Sequence, residues 1–386
     1  MVTLRNMPNR IPRRIVMYIH NLSGGGAERI WAVVASGLAS VGHDVLLVTD
    51  DEAAENKAVL DPAVRTKVLR GSHVATVAKL SRILRRERAD VALAAVSGSN
   101  FKLALAKAAA LTRTPIVISY HGFWEHKTGW LGWLGCVSMA ALSRFAARTI
   151  AVSDGLRNEL VAKWHSSPDR TLRIYNPIGV PDAPEITAAD LAARPELVLC
   201  VGRLIEDKDI GTVLRAFARL DRPTARLLIL GEGPDRAMLE TLAARLGIAD
   251  RVSMPGYVLE PWVHYSKARC LVHGAKQEAF GNIIVEALAY GLPVVTTACA
   301  GPSEILGRGR FGTVVPIGDD RALAAGLAAA LDDPGDPGPR RARAVEFALA
   351  PGIAGYETLI ETVIAEHCSS RRVGVPAPQA PGSSVS

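Results

Sequence analysis

Short apolar runs alternate with amphipathic runs along the first half of the chain, and this alternation restricts the fold more than any other feature. The apolar runs predict β-strands at 15–19, 44–49, 91–96, 116–119 and 149–152. The amphipathic runs predict helices at 27–40, 74–88, 101–111 and 155–163. Strands that alternate with helices in this way favour a parallel sheet covered by helices on both faces.

A segment rich in proline and glycine at 176–184 interrupts the alternation, which then restarts. The predicted strands of the second half are 197–201, 226–230, 252–254, 270–273 and 294–297. Its predicted helices are 211–220, 236–246 and 282–290. With 386 residues, the chain is also too long for one ordinary hydrophobic core. The sequence therefore predicts two doubly wound, Rossmann-like α/β domains, with a ligand cleft at the carboxyl ends of their strands.

The pattern divides the chain into five segments. They are a flexible N-terminus (1–13), a first domain (14–180), a second domain (181–350), a C-terminal helix (351–368) and a disordered tail (369–386). We expect the C-terminal helix to pack back toward the first domain. It belongs to a helical stretch that we expect Pro351 to interrupt. The tail is rich in proline, glycine, serine and valine, a composition that does not build a core.

Composition excludes several classes of protein. Hydrophobic residues make up 49% and charged residues 22% of the chain, as in a globular protein. The five cysteines occur singly, without a CxxC pair, which argues against a disulfide framework or a zinc site and favours a reducing compartment. The apolar run at 15–19 is too short for a signal peptide, and no run approaches the ~20 residues that cross a bilayer. We therefore expect a cytoplasmic protein.

A glycine-rich motif, Ser-Gly-Gly-Gly-Ala-Glu-Arg at 23–29, follows the first strand and opens a helix. Consecutive glycines let the backbone approach a ligand, and a helix N-terminus offers free N–H groups to an anion. A plain strand–helix turn explains the motif equally well. Because Arg29 stands where the dinucleotide fingerprint GxGxxG requires glycine, the motif argues against a nicotinamide-dependent dehydrogenase.

Two further motifs follow strands of the second half. Val-Gly-Arg-Leu at 201–204 places Arg203 at the end of a strand, and Lys208 comes five residues later. A planar guanidinium and a compact ammonium suit phosphate oxygens, although both residues could equally be surface charges beside acidic neighbours. Gly-Glu-Gly-Pro at 231–234 is a turn between a strand and a helix.

The fourth motif contains two glutamates, Glu278 and Glu286, separated by seven residues. Gly281 and Asn282 are expected to start a helix between them, with free backbone N–H groups toward the cleft. Two carboxylates at this spacing can hold two separate groups of hydroxyls on one ligand, such as the sugar and the ribose of a nucleotide sugar. The alternative is one carboxylate at a helix N-terminus and one chance glutamate on an amphipathic helix.

Together and in this order, the four motifs resemble those of the retaining glycosyltransferases of family 4, which have the GT-B fold. The resemblance covers most of the chain, from residue 14 to residue 366. It implies a first domain that binds the acceptor and a second domain that binds the nucleotide sugar. The ordered set is far more specific than any single motif.

The resemblance also implies roles for individual residues. Arg203 and Lys208 would bind the donor diphosphate, Glu278 the hydroxyls of the transferred sugar, and Glu286 the ribose. His121, in Ser-Tyr-His-Gly after a late strand of the first domain, would approach the donor sugar. We therefore expect His121, Glu278, Arg203 and Lys208 to be catalytic. Further donor contacts are expected from Gly24, Gly25, Gly26, Gly231, Gly233, Phe280, Gly281, Asn282 and Ile283.

The expected chemistry uses neither a metal nor a cofactor, since cations and helix N-termini can stabilise the leaving nucleoside diphosphate. Asp207-Lys208-Asp209 fits the Asp-x-Asp element of metal-dependent transferases literally, but supporting motifs are absent from the sequence. Family members normally have glycine where this chain has Asp209, which concerns the local loop geometry. We expect a UDP-hexose or UDP-N-acetylhexosamine donor in preference to GDP-mannose.

The acceptor is expected to be a glycan, often lipid-linked, as in the assembly of surface polysaccharide or lipopolysaccharide. Residues 1–185 carry 24 Lys and Arg against 15 Asp and Glu, a net charge of +9. Within them, the apolar segment 129–142 contains two tryptophans and is either an interfacial segment or a buried helix. A peripheral position on the inner face of the cytoplasmic membrane would follow from the first alternative. Dispersed basic residues and few aromatics argue against nucleic-acid binding.

Other functions are compatible with the same fold. A catalytically silent scaffold of a polysaccharide assembly complex would tend to lose one of the four residues Arg203, Lys208, Glu278 and Glu286, all of which are present. A sugar-nucleotide epimerase needs no acceptor, and a glycan phosphorylase needs a lysine that carries pyridoxal phosphate. The complete set favours a sugar transferase.

Overall fold

The computed structural model describes residues 11–23, 25–52, 55–122, 130–180 and 183–373. These residues form two α/β domains, each built on one parallel sheet. The prediction of two doubly wound domains is confirmed. The proposed flexible residues 1–10 and the end of the proposed tail, 374–386, lie outside the described part of the chain.

The first domain is built on a seven-stranded sheet. Its strands are β1 (Arg14–Ile19), β2 (Asp44–Thr49), β3 (Arg65–Val68), β4 (Val91–Ala95), β5 (Ile116–Tyr120), β6 (Arg148–Ala151) and β7 (Thr171–Arg173). Its helices are α1 (Gly26–Ser40), α2 (His73–Glu87), α3 (Ser97–Ala110), α4 (Trp130–Val137), α5 (Met139–Phe145) and α6 (Asp154–Ala162). Neighbouring strands are parallel, in the order β3-β2-β1-β4-β5-β6-β7.

The second domain is built on a six-stranded sheet with the order β10-β9-β8-β11-β12-β13. Its strands are β8 (Leu197–Val201), β9 (Arg226–Leu230), β10 (Val252–Gly256), β11 (Cys270–His273), β12 (Val294–Thr297) and β13 (Thr313–Val315). The helices that follow the first domain are α7 (Ala188–Ala193), α8 (Ile210–Ala218), α9 (Arg236–Arg245), α10 (Trp262–Lys267), α11 (Asn282–Ala289), α12 (Ala300–Ile305), α13 (Asp320–Asp332), α14 (Gly338–Val345) and α15 (Leu349–Val373).

Both sheets reverse their strand order beside their first strand. β1 pairs with β2 on one side and with β4 on the other, and β8 pairs likewise with β9 and β11. The loops that follow β1 and β8 therefore each lie where the strand order of the sheet reverses. Such switch points form the ligand crevices of open α/β sheets, so the glycine-rich motif and the Arg203 motif both lie at one.

An aromatic cluster holds the two domains together near the linker. The Phe280 ring centroid lies 5.8 Å from that of Tyr175 and 5.7 Å from that of Phe347. Tyr175 and Phe347 meet edge to face, with centroids 4.9 Å apart. Since Phe280 and Phe347 are buried, this contact continues the hydrophobic core from the first domain into the second.

A carboxylate of the second domain also caps a helix of the first. The backbone N–H of Asp154, at the start of α6, donates to Glu304 Oε2 at 2.9 Å, and that of Gly155 donates to the same oxygen at 3.3 Å. The Tyr175 hydroxyl donates to Glu304 Oε1 at 2.7 Å. A negative charge at a helix N-terminus is stabilised by the free N–H groups and the helix dipole, so Glu304 fixes the relative position of the two domains near their junction.

The last helix returns to the first domain. Ile353 packs so closely on Gly37 of α1 that a Cβ at Gly37 would lie 2.3 Å from Ile353 Cδ1. Farther along α15, the Arg13 guanidinium donates to both oxygens of Glu361, at 2.8 and 2.6 Å. The chain thus crosses between the domains twice, once at the linker and once before α15.

Two expectations about this end of the chain differ from the structure. The predicted interruption of the helical stretch is present, but it lies at 346–348, between the end of α14 at Val345 and the start of α15, and Pro351 lies in the first turn of α15. Proline is tolerated there because the first N–H groups of a helix need no partner within it. Helix α15 also continues to Val373, into the segment predicted to be disordered. Among the described residues, no helix combines the length and the hydropathy that a membrane span requires.

Candidate active site

Two helix N-termini face each other across the cleft. Gly26 begins α1 in the first domain, and Asn282 begins α11 in the second. A Cβ at Gly26 would lie 3.6 Å from the Asn282 amide nitrogen, and the Asn176 amide donates to Asn282 Oδ1 at 2.9 Å. Because the first N–H groups of each helix lack partners within the helix, the cleft between them favours an anionic ligand.

The glycine-rich loop is compact where the structure describes it, and Gly24 lies outside the described residues. The Gly25 N–H donates to the Ser23 carbonyl at 2.6 Å, and Gly25 is the N-cap residue of α1. A Cβ at Gly25 would lie 1.9 Å from Glu28 Oε2, so glycine is required while Glu28 keeps this position. The loop thus brings backbone rather than side chains to the cleft.

The loop that carries Arg203 is supported by the Gly-Glu-Gly-Pro turn. Leu204 N–H donates to the Glu232 carbonyl at 2.8 Å. A Cβ at Gly231 would lie 1.8 Å from the Gly202 carbonyl oxygen, and one at Gly233 would lie 2.2 Å from that of Leu204. Gly231 and Gly233 therefore permit the close contact of two loops that leaves the Arg203 side chain exposed at the cleft. A direct donor contact by these glycines stays a prediction.

A half-buried cation and a carboxylate form the centre of the second-domain wall. The Lys208 ammonium forms a short ion pair with Glu278 Oε2, and His273 Nε2 lies 3.7 Å from the same oxygen. Burial by itself would raise the pKa of Glu278, but Lys208 and His273 outweigh it and hold that pKa well below its usual range. Burial lowers the pKa of His273 despite the nearby carboxylate. At neutral pH the cluster therefore contains Lys208, an ionised Glu278 and a neutral His273 ring.

The second glutamate lies deeper than the first. Glu286 is buried on α11, where the Tyr265 hydroxyl donates to its Oε2 at 2.8 Å. Arg29 of the first domain places Nη1 3.6 Å from Glu286 Oε1. Burial raises the pKa of Glu286, while Arg29 and the Tyr265 hydrogen bond oppose that shift. Beside Tyr265, the rings of Trp262 and Tyr290 stack at 6.4 Å, so an aromatic wall adjoins this carboxylate.

The opposite wall of the cleft carries His121, directly after β5. Its Nε2 lies 3.0 Å from Ser119 Oγ, and its ring meets Trp31 of α1 edge to face at 6.2 Å. Burial lowers the pKa of His121 to about 4. The ring is therefore neutral at pH 7, so it can donate or accept one hydrogen bond without contributing charge.

Comparison with known proteins identifies the family. Residues 24–180 match the sequence profile described as Glycosyltransferase Family 4, and residues 184–349 match the one described as Glycosyl transferases group 1. Each profile covers one of the two domains. The chain belongs to the GT-B glycosyltransferases of family 4 and group 1. The predicted family is thereby confirmed, and retention of configuration stays a prediction.

One curated relative, from Campylobacter jejuni, is 30% identical over 47% of this chain and 50% of the relative. It is named N-acetylgalactosamine-N,N'-diacetylbacillosaminyl-diphospho-undecaprenol 4-alpha-N-acetylgalactosaminyltransferase. The lipopolysaccharide core biosynthesis glycosyltransferase LpsD of Rhizobium meliloti is 26% identical over 83% of this chain and 88% of LpsD. The chain thus spans about half the length of the Campylobacter relative. Among solved structures, Anabaena HepE in complex with UDP and glucose superposes with a TM-score of 0.76, at 21% identity, over 93% of this chain and all of HepE.

Asp209 takes the place of the usual family glycine and adopts the backbone conformation that glycine prefers. Its φ is +41° and its ψ +50°, in the left-handed region. Its side chain caps α8: Oδ1 accepts the Thr212 N–H at 3.2 Å and Oδ2 accepts the Thr212 hydroxyl at 2.7 Å. The carboxylate of Asp209 is therefore engaged in helix capping, which weakens the literal match of 207–209 to a metal-binding element.

The segment between the two glutamates contributes to packing. Phe280 contributes its side chain to the aromatic cluster between the domains, while its N–H lies 3.4 Å from Glu278 Oε1. Gly281, with φ at +102°, makes the turn into α11. Ile283 is partly buried against the core. Donor contacts from the backbone of this segment stay predictions.

Sequence reasoning missed three residues of this site. His273 ends β11 and therefore stands at the cleft edge of the sheet, a position that its strand assignment could have indicated. Tyr265 and Arg29 approach Glu286 from other elements, and no local pattern pairs them with it. The structure brings Lys208, Glu278 and His273 together, whereas Glu286 is buried against Tyr265 and Arg29.

Substitutions at Asp209 are expected to separate capping from backbone strain. Asp209→Gly should leave the free energy of unfolding within about 0.5 kcal/mol of wild type, because relief of the positive φ offsets the lost cap. Asp209→Ala loses the cap and keeps the strained φ, so it should destabilise the protein by about 1–2 kcal/mol. Urea unfolding measures both changes. Equal stability of the two variants would contradict this account of the loop.

Proposed function

We propose that this protein transfers a hexosyl or N-acetylhexosaminyl group from a nucleotide-sugar donor to a lipid-linked glycan acceptor, with retention of configuration, in surface polysaccharide or lipopolysaccharide assembly. The observation that carries the proposal is the half-buried Lys208–Glu278 ion pair beside the exposed Arg203, across the cleft from the glycine-rich N-terminus of α1. This arrangement offers positive charge to a diphosphate and a carboxylate to sugar hydroxyls.

The leaving group can be stabilised by the protein alone. As the glycosidic bond breaks, negative charge develops on the β-phosphate oxygens of the donor. Arg203 can bind these oxygens through its planar fork, and Lys208 can add a compact charge. The N-termini of α1 and α11 supply N–H groups that are oriented before the reaction begins. We therefore propose a reaction that needs neither a metal ion nor a cofactor.

A UDP-sugar is the proposed donor. Several structures of HepE that share this fold are described as complexes with UDP, with UDP and glucose, or with UDP-glucose. One curated relative is instead named as GDP-mannose-dependent, so GDP-mannose is the competing donor. The name of the Campylobacter relative contains a diphospho-undecaprenol acceptor and an N-acetylgalactosaminyl group, which supports a lipid-linked acceptor and an N-acetylhexosamine.

An exposed apolar face on the first domain supports a function at a membrane surface. Trp130 and Trp133 of α4 are 62% and 53% exposed, and Val137 on the same helix is also exposed. The opposite side of this segment is buried through Cys136 and Met139. Tryptophan is favoured at the level of lipid headgroups, and the first half of the chain carries net positive charge. We propose that this face binds an anionic membrane, at the inner face of the cytoplasmic membrane.

Donor binding can be tested by thermal shift with UDP, GDP, UDP-sugars and GDP-mannose. A ligand that binds the native state raises the unfolding midpoint by mass action. We expect UDP and one UDP-sugar to raise the midpoint equally with and without EDTA, and Glu286→Ala to abolish the shift. Circular dichroism of Glu286→Ala checks that the variant is folded. A shift that requires a divalent cation would exclude the metal-independent mechanism, and no shift with any nucleotide would favour a silent scaffold.

Removal of the Lys208 ammonium should slow the chemical step. Lys208→Ala is expected to lower kcat/KM by roughly 10²–10³-fold, as loss of one preorganised charge-stabilising group does in other enzymes. Lys276→Ala is the matched control, since the exposed Lys276 pairs with Glu206 at 3.2 Å. Steady-state release of UDP in the presence of acceptor measures both. Equal rates for the two variants would remove Lys208 from the proposed mechanism.

Membrane binding should depend on the exposed tryptophans. The double variant Trp130→Ser/Trp133→Ser is expected to lose binding to phosphatidylglycerol vesicles at low salt, because the indole rings supply the interfacial contact. Met238→Ser, which removes a 54% exposed apolar side chain from the second domain, should leave binding intact. Vesicle co-sedimentation measures both. Wild-type protein that ignores anionic vesicles would contradict the membrane assignment.

A further inference from the structure

A buried ring nitrogen of His273 faces the carboxylate of Glu278. The ring lies at the end of β11 and places Nε2 3.7 Å from Glu278 Oε2. That distance is longer than a hydrogen bond, and among the described residues no other group accepts from or donates to Nε2. Because a buried polar nitrogen without a partner is costly, its orientation toward the carboxylate calls for an explanation.

The other ring nitrogen of His273 meets a hydroxyl of the neighbouring strand. Thr296 of β12 is the register partner of His273, and its Oγ1 lies 3.0 Å from Nδ1. The Thr296 hydroxyl has one proton and a second acceptor within reach, the Thr297 carbonyl at 3.2 Å. That carbonyl already accepts the Cys299 N–H at 2.7 Å. The Thr296 proton therefore belongs on Nδ1.

This hydrogen bond fixes the tautomer of His273. A neutral ring that accepts a proton at Nδ1 carries its own proton on Nε2. The Nε2–H dipole then points toward the Glu278 carboxylate. The opposite tautomer would turn the Nε2 lone pair toward an anion 3.7 Å away, which is repulsive. Hydrogen bonding and charge thus select the same tautomer.

The two oxygens of Glu278 have different surroundings. Lys208 forms its short ion pair with Oε2, which is also the oxygen that His273 faces. The Phe280 N–H lies 3.4 Å from Oε1, at the limit of hydrogen bonding. Glu278 is partly exposed at the cleft. With Oε2 approached from two sides, Oε1 is the oxygen that is available to sugar hydroxyls.

We propose that His273 is a positioning residue for Glu278: its Nε2–H, oriented by Thr296, directs Glu278 Oε1 toward the transferred sugar. The proposal rests on the proposed function, which assigns Glu278 to the hydroxyls of that sugar. In the same scheme Lys208 is shared with the donor diphosphate, whose charge competes with Glu278 for the ammonium. The neutral His273 ring is not drawn to phosphate, so it keeps Glu278 oriented while the leaving group forms.

A ring that only fills space at the end of β11 is the competing explanation. Two substitutions of similar length distinguish these explanations. In His273→Gln the side-chain amide can occupy the position of Nε2 and donate to Glu278. In His273→Met the side chain fills much the same volume and has no donor. A positioning role therefore predicts rescue by glutamine but not by methionine.

Donor affinity provides the first measurement. Calorimetry would give the Kd of UDP, GDP, UDP-glucose, UDP-N-acetylglucosamine and GDP-mannose for wild type and both variants. His273→Met is expected to weaken the nucleotide sugar that wild type binds by roughly 5- to 10-fold, the scale of one hydrogen bond to a carboxylate, and to leave its nucleoside diphosphate within about twofold. His273→Gln should retain the wild-type affinities. Equal weakening of diphosphate and nucleotide sugar, unchanged affinities, or equal effects of the two variants would overturn the proposal.

A second measurement needs no nucleotide. Isotopic labelling of the ring nitrogens of the nine histidines gives the tautomer by NMR, with the His273 signals identified by their loss in His273→Gln. We expect a neutral ring with the proton on Nε2 at neutral pH. Wild-type protein with the proton on Nδ1 would overturn the proposal. Wild-type protein that binds no nucleotide but carries the proton on Nε2 would overturn the donor assignment alone.

The role of Thr296 is tested in the same spectra. Thr296→Val removes the hydroxyl with little change in volume, so the Nδ1 resonance should move toward that of an imidazole nitrogen without a hydrogen-bond donor. Thr76→Val, at an equally buried threonine of α2, is the matched control and should leave the His273 signals unchanged. An Nδ1 resonance that is the same in Thr296→Val and wild type would overturn the proposed orientation of the ring.

Discussion

Parallel pairing of β1 with both β2 and β4, repeated by β8 with β9 and β11, is the constraint on which the site depends. A parallel sheet places all its carboxyl ends at one edge, and the reversal of strand order opens a crevice there. The glycine-rich loop and the Arg203 loop both leave such an edge. When the two edges face each other, backbone N–H groups from one domain meet cations from the other.

The contacts between domains keep these edges in register. The aromatic cluster around Phe280 supplies apolar burial, and Glu304 adds directional hydrogen bonds to the start of α6. Helix α15 then ties the end of the second domain to α1 through Ile353. These contacts lie near the linker. The Arg29–Glu286 contact is a further link between the domains, and it crosses the cleft with 3.6 Å between Nη1 and Oε1.

Charge is arranged differently around the two glutamates. Glu278 is held as an anion by Lys208 and His273, which suits a carboxylate that orients sugar hydroxyls beside a leaving diphosphate. Burial raises the pKa of Glu286, and its donors are Tyr265 and a guanidinium from the opposite domain. The two carboxylates therefore have different partners and opposite pKa shifts.

The sequence by itself determined the strands and helices whose pattern is strong, and the motifs at the switch points. Short apolar runs such as 197–201 that alternate with amphipathic helical runs indicate the buried strands of a parallel sheet. Short or polar edge strands such as β3 and β7 carry no such pattern, because pairing with a neighbour defines them. Tertiary structure alone decided that His273 approaches Glu278, that Arg29 reaches Glu286, and that the tryptophans of α4 face outward. These contacts join residues far apart in the chain, and packing between elements, which no local period encodes, brings them within a few ångströms.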